Sequence, residues 1–381
     1  MNPPDLARMS ADLAALVAIP SVNPYDTPPG PGEGEGEVAA FVLGAMAEIG
    51  LETGRSEAAP GRPNVWGRLK GTGGGPALML AGHMDTVGVE GCKAPFAAEI
   101  RAGRLHGRGA VDMKGALAAM LETARLLKAE PVAGDLLLMF VADEEHLMIG
   151  SAHAGRAGPH ADFVVVGEPT GLAVATAHKG QSVFPFEVRG VSAHSSRAEL
   201  GENAILAAAR LALAVEAHDA ALRARPPHPL LGHARATPVL VAGGESHSAV
   251  PAHVRLQVDR RTLPGEAPEA LRAEMAALAE TAGVRADVGE PSPVSAALEL
   301  SPGHPLARAA LAAAAEIGAP AAPVAFPGGT DAPNFLRPAL VCGPGNLSEA
   351  HAADEWIELE QLTGAARLWR GIARRLSGET T

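Results

Sequence analysis

Five short stretches of the chain hold side chains that could do chemistry together. They are His83 and Asp85 in residues 81–86, Asp112 in a glycine-rich segment, Glu144 and Glu145 in the acidic run from Asp143, Glu168 after an apolar stretch, and His351 near the C-terminus. Two imidazoles and several carboxylates suit zinc or a similar first-row divalent ion, and the lack of cysteine ligands argues against a closed structural site. Each stretch alone stays ambiguous. In a chain with 14 histidines, a lone His-x-Asp pair is more often a solvated turn than a metal site. Asp112 also stands where it could cap the helix after it, and Asp143 to Glu145 could form an acidic surface turn.

Taken together, the residues sort into pairs. His83 with Glu168 and His351 with Glu145 make two similar histidine–carboxylate sets, and Asp112 remains to bridge them. Two divalent ions would then face three carboxylates and a hydroxide, a near-neutral arrangement suited to hydrolysis. Glu144, the acid beside the ligands, is the natural general base, able to activate water and return a proton to a leaving nitrogen. Asp85 is placed to orient or polarise the His83 imidazole from behind.

The elements that must position these groups are apolar strands. Residues 77–80, 135–142, 163–166 and 339–342 are apolar enough to be buried on both faces, and ligands in open α/β sheets bind at the carboxyl ends of such strands. Gly82 is expected to break the backbone sharply, so that His83 and Asp85 project from a strand end. Leu6, Met9, Leu13, Leu16 and Val17 share a helical face, further helices are expected over 115–129, 304–317 and 360–376, and residues 26–36 read as a mobile Gly/Pro/Glu-rich loop. From about residue 178 the pattern changes to strand, helix, two strands, helix and a short strand near 284–288. The expected fold class is therefore α/β: a catalytic domain over 1–177 and 291–381, with a mostly parallel sheet and helices on both faces, interrupted by an inserted α+β, ferredoxin-like unit over 178–290.

Composition narrows the function classes. A net charge of −12 and a pI near 5.6 argue against a nucleic-acid partner, which needs clustered Lys and Arg. No apolar run approaches the length that spans a membrane. The N-terminal stretch lacks the pattern of a secretory signal, and two distant cysteines, Cys92 and Cys342, give no disulfide framework, so a cytoplasmic protein is expected.

The strings AGHMDT, GRGAVDMKG, DEE, GEPT, HKG, AHSS, GGTDA and EAHAADEW, in that order over nearly the whole chain, resemble the di-zinc family of acetylornithine deacetylases, succinyl-diaminopimelate desuccinylases, aminoacylases and glutamate carboxypeptidases. The resemblance implies His83, Asp112, Glu145, Glu168 and His351 as ligands of two zinc ions, or cobalt in their place, with Glu144 as base, Asp85 as support and a cis peptide at Asp112–Met113. A glutamate at the position of Glu168 goes with deacylases and carboxypeptidases, an aspartate with aminopeptidases. The inserted unit resembles a lid and dimerisation domain. Its His194 resembles the histidine that reaches the substrate in the partner subunit of a homodimer, and Arg260 the arginine that holds a substrate carboxylate. Gly329, Thr330 and Asn346 resemble pocket-lining residues.

The motifs are most similar to the acetylornithine deacetylase branch, acting in arginine biosynthesis, although Ser248 stands where an asparagine is usual and His146 to Met148 replace a Gly-rich turn. The expected activity is removal of an N-acyl, above all N-acetyl, group from a small amino acid such as N-acetylornithine. A di/tripeptidase or carboxypeptidase is the enzymatic alternative, and a metal-binding homologue without turnover the non-enzymatic one.

Overall fold

Alternation along four apolar strands decides where the chain's first core lies. In the computed structural model, which describes residues 2–379, the strands Leu78–His83, Leu136–Val141, Phe163–Val166 and Ala339–Val341 run parallel at the centre of a nine-stranded sheet. Successive side chains point to opposite faces, so Leu80, Leu138, Phe140 and Leu340 join one core while Ala81, Met139, Val141 and Val341 join another. Covering both faces is what makes these strands apolar throughout. The helices Leu6–Ala18, Gly36–Ile49, Gly115–Ala129, Pro305–Glu316 and Leu359–Leu376 close the first core. Ala154 of the helix Ile149–Ala157 and Phe335 of the turn Ala332–Phe335 help to close the second.

Strand register then sets the site. His83 lies opposite Val141, Ala81 opposite Val166, and Val341 opposite Val166. All four strands therefore end along one edge of the sheet, and Asp143 and Glu168 follow just beyond it. Trp369 anchors the last of these ends from below: its ring is fully buried and its Nε1 donates to the Cys342 carbonyl at 3.0 Å. Burying such a side chain contributes roughly 2–3 kcal/mol.

Gly82 does not break the strand, which runs on through His83. A Cβ there would sit 2.7 Å from Met113 Cε and 2.9 Å from Leu117 Cδ2, so the glycine is needed for the close approach of the loop that carries Asp112. That loop, Ala110–Lys114, contains a cis Asp112–Met113 peptide, and Lys114 rather than Asp112 is the N-cap of the helix Gly115–Ala129.

The chain forms two units. One comprises the chain up to Ala177, Leu298–Phe326 and the chain from Thr330; the other comprises His178–Ala297 with Pro327–Gly329. The second unit is built on an antiparallel sheet in the order Arg235–Gly243, His253–Thr262, Gly180–Arg189, Ala286–Val288. The helices Ala204–Arg223 and Pro268–Thr281 pack on it around Phe184, Phe186, Leu211, Val215, Leu256 and Met275. Its end lies beyond residue 290 because Val294 pairs with Ser182. Among the described residues, no helix is long and apolar enough to cross a membrane.

Candidate metal centre

His83 ends its strand wholly buried, and its Nδ1 is held by the Asp85 carbonyl at 3.0 Å. That bond places a ring proton on Nδ1 and turns Nε2 toward the carboxylates. Nε2 lies 3.1 Å from Asp112 Oδ1, 3.9 Å from Glu144 Oε2 and 4.0 Å from Glu168 Oε1. The other oxygen of Asp112, Oδ2, lies 3.2 Å from His351 Nε2, which is also 3.2 Å from Glu145 Oε2. Two ligand groups result, His83–Asp112–Glu168 and Asp112–Glu145–His351, and within each the donor atoms lie no more than 4.8 Å apart. One carboxylate belongs to both groups.

These residues fit divalent cations. Glu168 Oε1 is buried and makes no hydrogen bond among the described residues, an arrangement that is costly unless a cation faces it. The donors are imidazole nitrogens and carboxylate oxygens, the set that zinc and its first-row neighbours accept.

A model of peptidase family M20/M25/M40 matches residues 79–375. The chain belongs to that family. Solved structures agree on the fold: aminopeptidase PepT from Bacillus cereus is 23% identical over 98% of this chain and 99% of that one, with a TM-score of 0.81. A tripeptidase from Staphylococcus aureus is 21% identical over 99% and 100%, also at 0.81. The YXEP protein of Bacillus subtilis, described as a dinuclear metal binding peptidase of family M20, is 18% identical over 98% and 99%, at 0.75. As an M20 member with two ligand groups, the chain is a metal-dependent hydrolase.

The electrostatics of this M20 site are those of crowded acids. Burial, reinforced by Glu168, pushes the Glu144 carboxyl well above its usual range; burial and Asp112 do the same to Glu168, and both also raise Glu145. Burial alone would lower the His83 pKa, yet hydrogen bonds to Asp112 and Asp85 raise it well above normal. Hydrogen bonds to Asp112 and Glu145 raise His351 to about 10. Burial would raise the Asp112 carboxyl, but His351 and His83 outweigh it and hold it well below its usual range. So many buried carboxylates are tolerable only with positive charge in their midst.

Asp85 faces both the imidazole and the acidic loop. Its Oδ1 is 3.6 Å from His83 Nδ1, while its two oxygens accept the backbone amides of Glu144 at 3.2 Å and Glu145 at 3.1 Å. The carboxylate thus orients the acidic loop while also facing the histidine, which its main-chain carbonyl holds.

The first unit brings together His83, Asp85, Asp112, Glu144, Glu145, Glu168 and His351. Its Thr330 is buried and caps Ala332 N at 3.2 Å, and Asn346 is exposed and bridged to Thr170. Gly329, His194 and Arg260 belong to the second unit. His194 is exposed, with Nδ1 2.8 Å from Ser196 Oγ. Arg260 is fully buried and gives its donors to Glu274 at 2.8 Å, Glu266 at 2.5 Å and the Arg261 carbonyl at 2.7 Å. Strand alternation turns Arg261 to the other face, where its side chain is 35% exposed.

Two supports and one buried acid escaped the sequence reading. Glu355 accepts the amides of Val111 at 2.9 Å and Asp112 at 3.1 Å and pairs with Arg108 at 2.6 Å, which fixes the Asp112 loop. Lys114, lowered to about 7 by burial, donates to the carbonyls of Leu16 and Ile19. Asp331 is buried and raised to about 7 by that burial. Glu355 lies within the motif EAHAADEW, the one signal that pointed to it.

Proposed function

We propose that the chain hydrolyses the amide bond of an N-acyl amino acid, N-acetylornithine or a close relative being the leading substrate. The observation that carries this reading is the Asp112 carboxylate shared by two ligand groups, with Glu144 beside them at 3.9 Å from His83 Nε2. His83, Asp112 and Glu168 would hold one divalent ion, and Asp112, Glu145 and His351 the other. Ions bound there supply Lewis acidity toward an amide carbonyl and toward water. Glu144, 3.9 Å from His83 Nε2, would take the proton from the attacking water and hand it to the leaving nitrogen.

Glu168, rather than aspartate, supports deacylation over aminopeptidase action. A second reading, di- or tripeptidase, draws support from the fold shared with PepT and the tripeptidase. His194 acts in this account as the oxyanion donor, supplied across a homodimer. Arg260 would have to leave Glu266 and Glu274 to hold a substrate carboxylate, and its half-buried neighbour Arg261, paired with Asp259 at 3.1 Å, is the alternative for a bidentate contact. The second unit offers a face for dimerisation, since Leu206, Leu213, Val239 and Val241 are each more than half exposed on the neighbouring helix Ala204–Arg223 and edge strand Arg235–Gly243.

The test is a panel of N-acetyl and N-succinyl amino acids and dipeptides assayed with zinc or cobalt, on the native chain and Glu144→Gln. N-acetyl substrates should turn over fastest, and Glu144→Gln should keep its metal and lose roughly 10²- to 10⁴-fold in kcat. Turnover confined to peptides would establish the second reading, and a near-native Glu144→Gln would remove the base.

A further inference from the structure

Behind the ligands lies a buried polar cluster that the reaction does not use directly. Asn23 is 1% exposed. Its Nδ2 donates to Asp85 Oδ2 at 2.7 Å and to Asp143 Oδ1 at 3.1 Å, while its Oδ1 accepts the amide of Tyr25 at 2.7 Å. The neighbours fix the orientation of this amide, because an oxygen turned toward two carboxylates would be repelled. Behind Asp143, Arg62 Nη2 reaches Asp143 Oδ1 at 2.9 Å and Glu35 Oε1 at 2.6 Å, and Glu35 Oε1 accepts the Asp143 amide at 3.2 Å.

Asp143 needs this support. It is a non-glycine residue in the left-handed region, with φ of 69°, a conformation that costs on the order of 1 kcal/mol and persists where neighbours enforce it. The turn it makes aims Glu144 and Glu145 into the site. Asp85 holds their amides from one side, Asp143 supplies the bend from the other, and both side chains are buried. Among the side chains of this cluster, Asn23 alone donates to both.

We infer that Asn23 is a positioning residue of the metal centre, its amide tying Asp85 to Asp143 and thereby setting the backbone of Glu144 and Glu145. The inference rests on the dinuclear reading of the site. It gives residues 21–35, read from sequence as running into a mobile loop, a place in the site's architecture. It also predicts asymmetry between the two ligand groups. Glu145 depends on the Asp85 carboxylate, whereas His83 is held by the Asp85 carbonyl, which stays in place through the main-chain bonds of Thr86 to Ser21 and Asn23.

The test is zinc titration of the chelated full chain against a chromophoric competitor, for the native protein, Asn23→Leu, Asn23→Asp and Asn23→Ser. Asn23→Leu removes the donors, Asn23→Asp adds a third carboxylate, and Asn23→Ser keeps one donor and guards against a folding defect. Circular dichroism of the chelated forms checks the fold. One of two zinc equivalents should bind about 10- to 100-fold more weakly in Asn23→Leu and Asn23→Asp, and less so in Asn23→Ser. The other equivalent should be unchanged, kcat should fall at a nearly constant KM, and the visible spectrum of the cobalt form should change at one position only. Native affinity for both equivalents in folded variants overturns this inference and leaves the dinuclear reading standing. A native chain that binds no second equivalent overturns both.

Discussion

Asp85 holds Glu145 by its backbone: the carboxylate accepts the Glu145 amide at 3.1 Å, and the side chain that follows from that amide reaches His351 at 3.2 Å. One group of ligands is therefore built on a contact made by a residue of the other strand tip. Asp85→Ala should lower metal affinity or rate by roughly 10- to 100-fold without emptying the His83 position. Asp85→Asn, able to accept only one of the two amides, should fall between. Metal content after dialysis checks this, and complete loss of both ions in Asp85→Ala would place Asp85 among the ligands themselves.

Much of this was legible in the sequence because the strands are continuous apolar runs whose ends are marked by polar residues. The candidate ligands were read from His83, Glu145 and Glu168 standing at the ends of such runs and His351 a loop later. The supports were not legible, because each acts at long range: Asn23 reaches Asp85 and Asp143, Arg62 reaches Glu35, and Glu355 reaches the amide of Asp112. Periodicity cannot reveal a contact between distant segments. The burial of Arg260 was not legible for a different reason, since which face of a strand is buried depends on the helix laid over it. Here Glu274 and Glu266, within and just before the helix Pro268–Thr281, claim Arg260.

His178 should make the stability of the second unit depend on pH. Burial pushes its pKa down to about 4 against the weaker pull of the Lys179 carbonyl. Between about pH 4 and the unfolded pKa of about 6.5 the unfolded chain binds the extra proton. The contribution is thus fully present above about pH 6.5 and is lost as pH falls toward 4, at most about 3 kcal/mol. Thermal melts at pH 7 and pH 5 should show a smaller drop for His178→Gln than for the native chain. An equal drop would remove His178 as a cause.

A lysine on the apolar face of the second unit should separate a dimer. Val241 and Leu213 are 66% and 64% exposed, so Val241→Lys or Leu213→Lys should leave the fold intact and shift the mass by light scattering from two chains to one. In that account the monomer loses turnover while keeping its metal, because His194 comes from the partner. A native chain that is already monomeric and fully active would rule out the shared site.

The central claim is that Asp112 serves two metal positions at once, and counting zinc per chain tests it most directly. The native protein should hold two equivalents, His83→Ala and His351→Ala one each, and Asp112→Ala should bind neither tightly. A single equivalent in the native chain, or two retained by Asp112→Ala, would contradict the account.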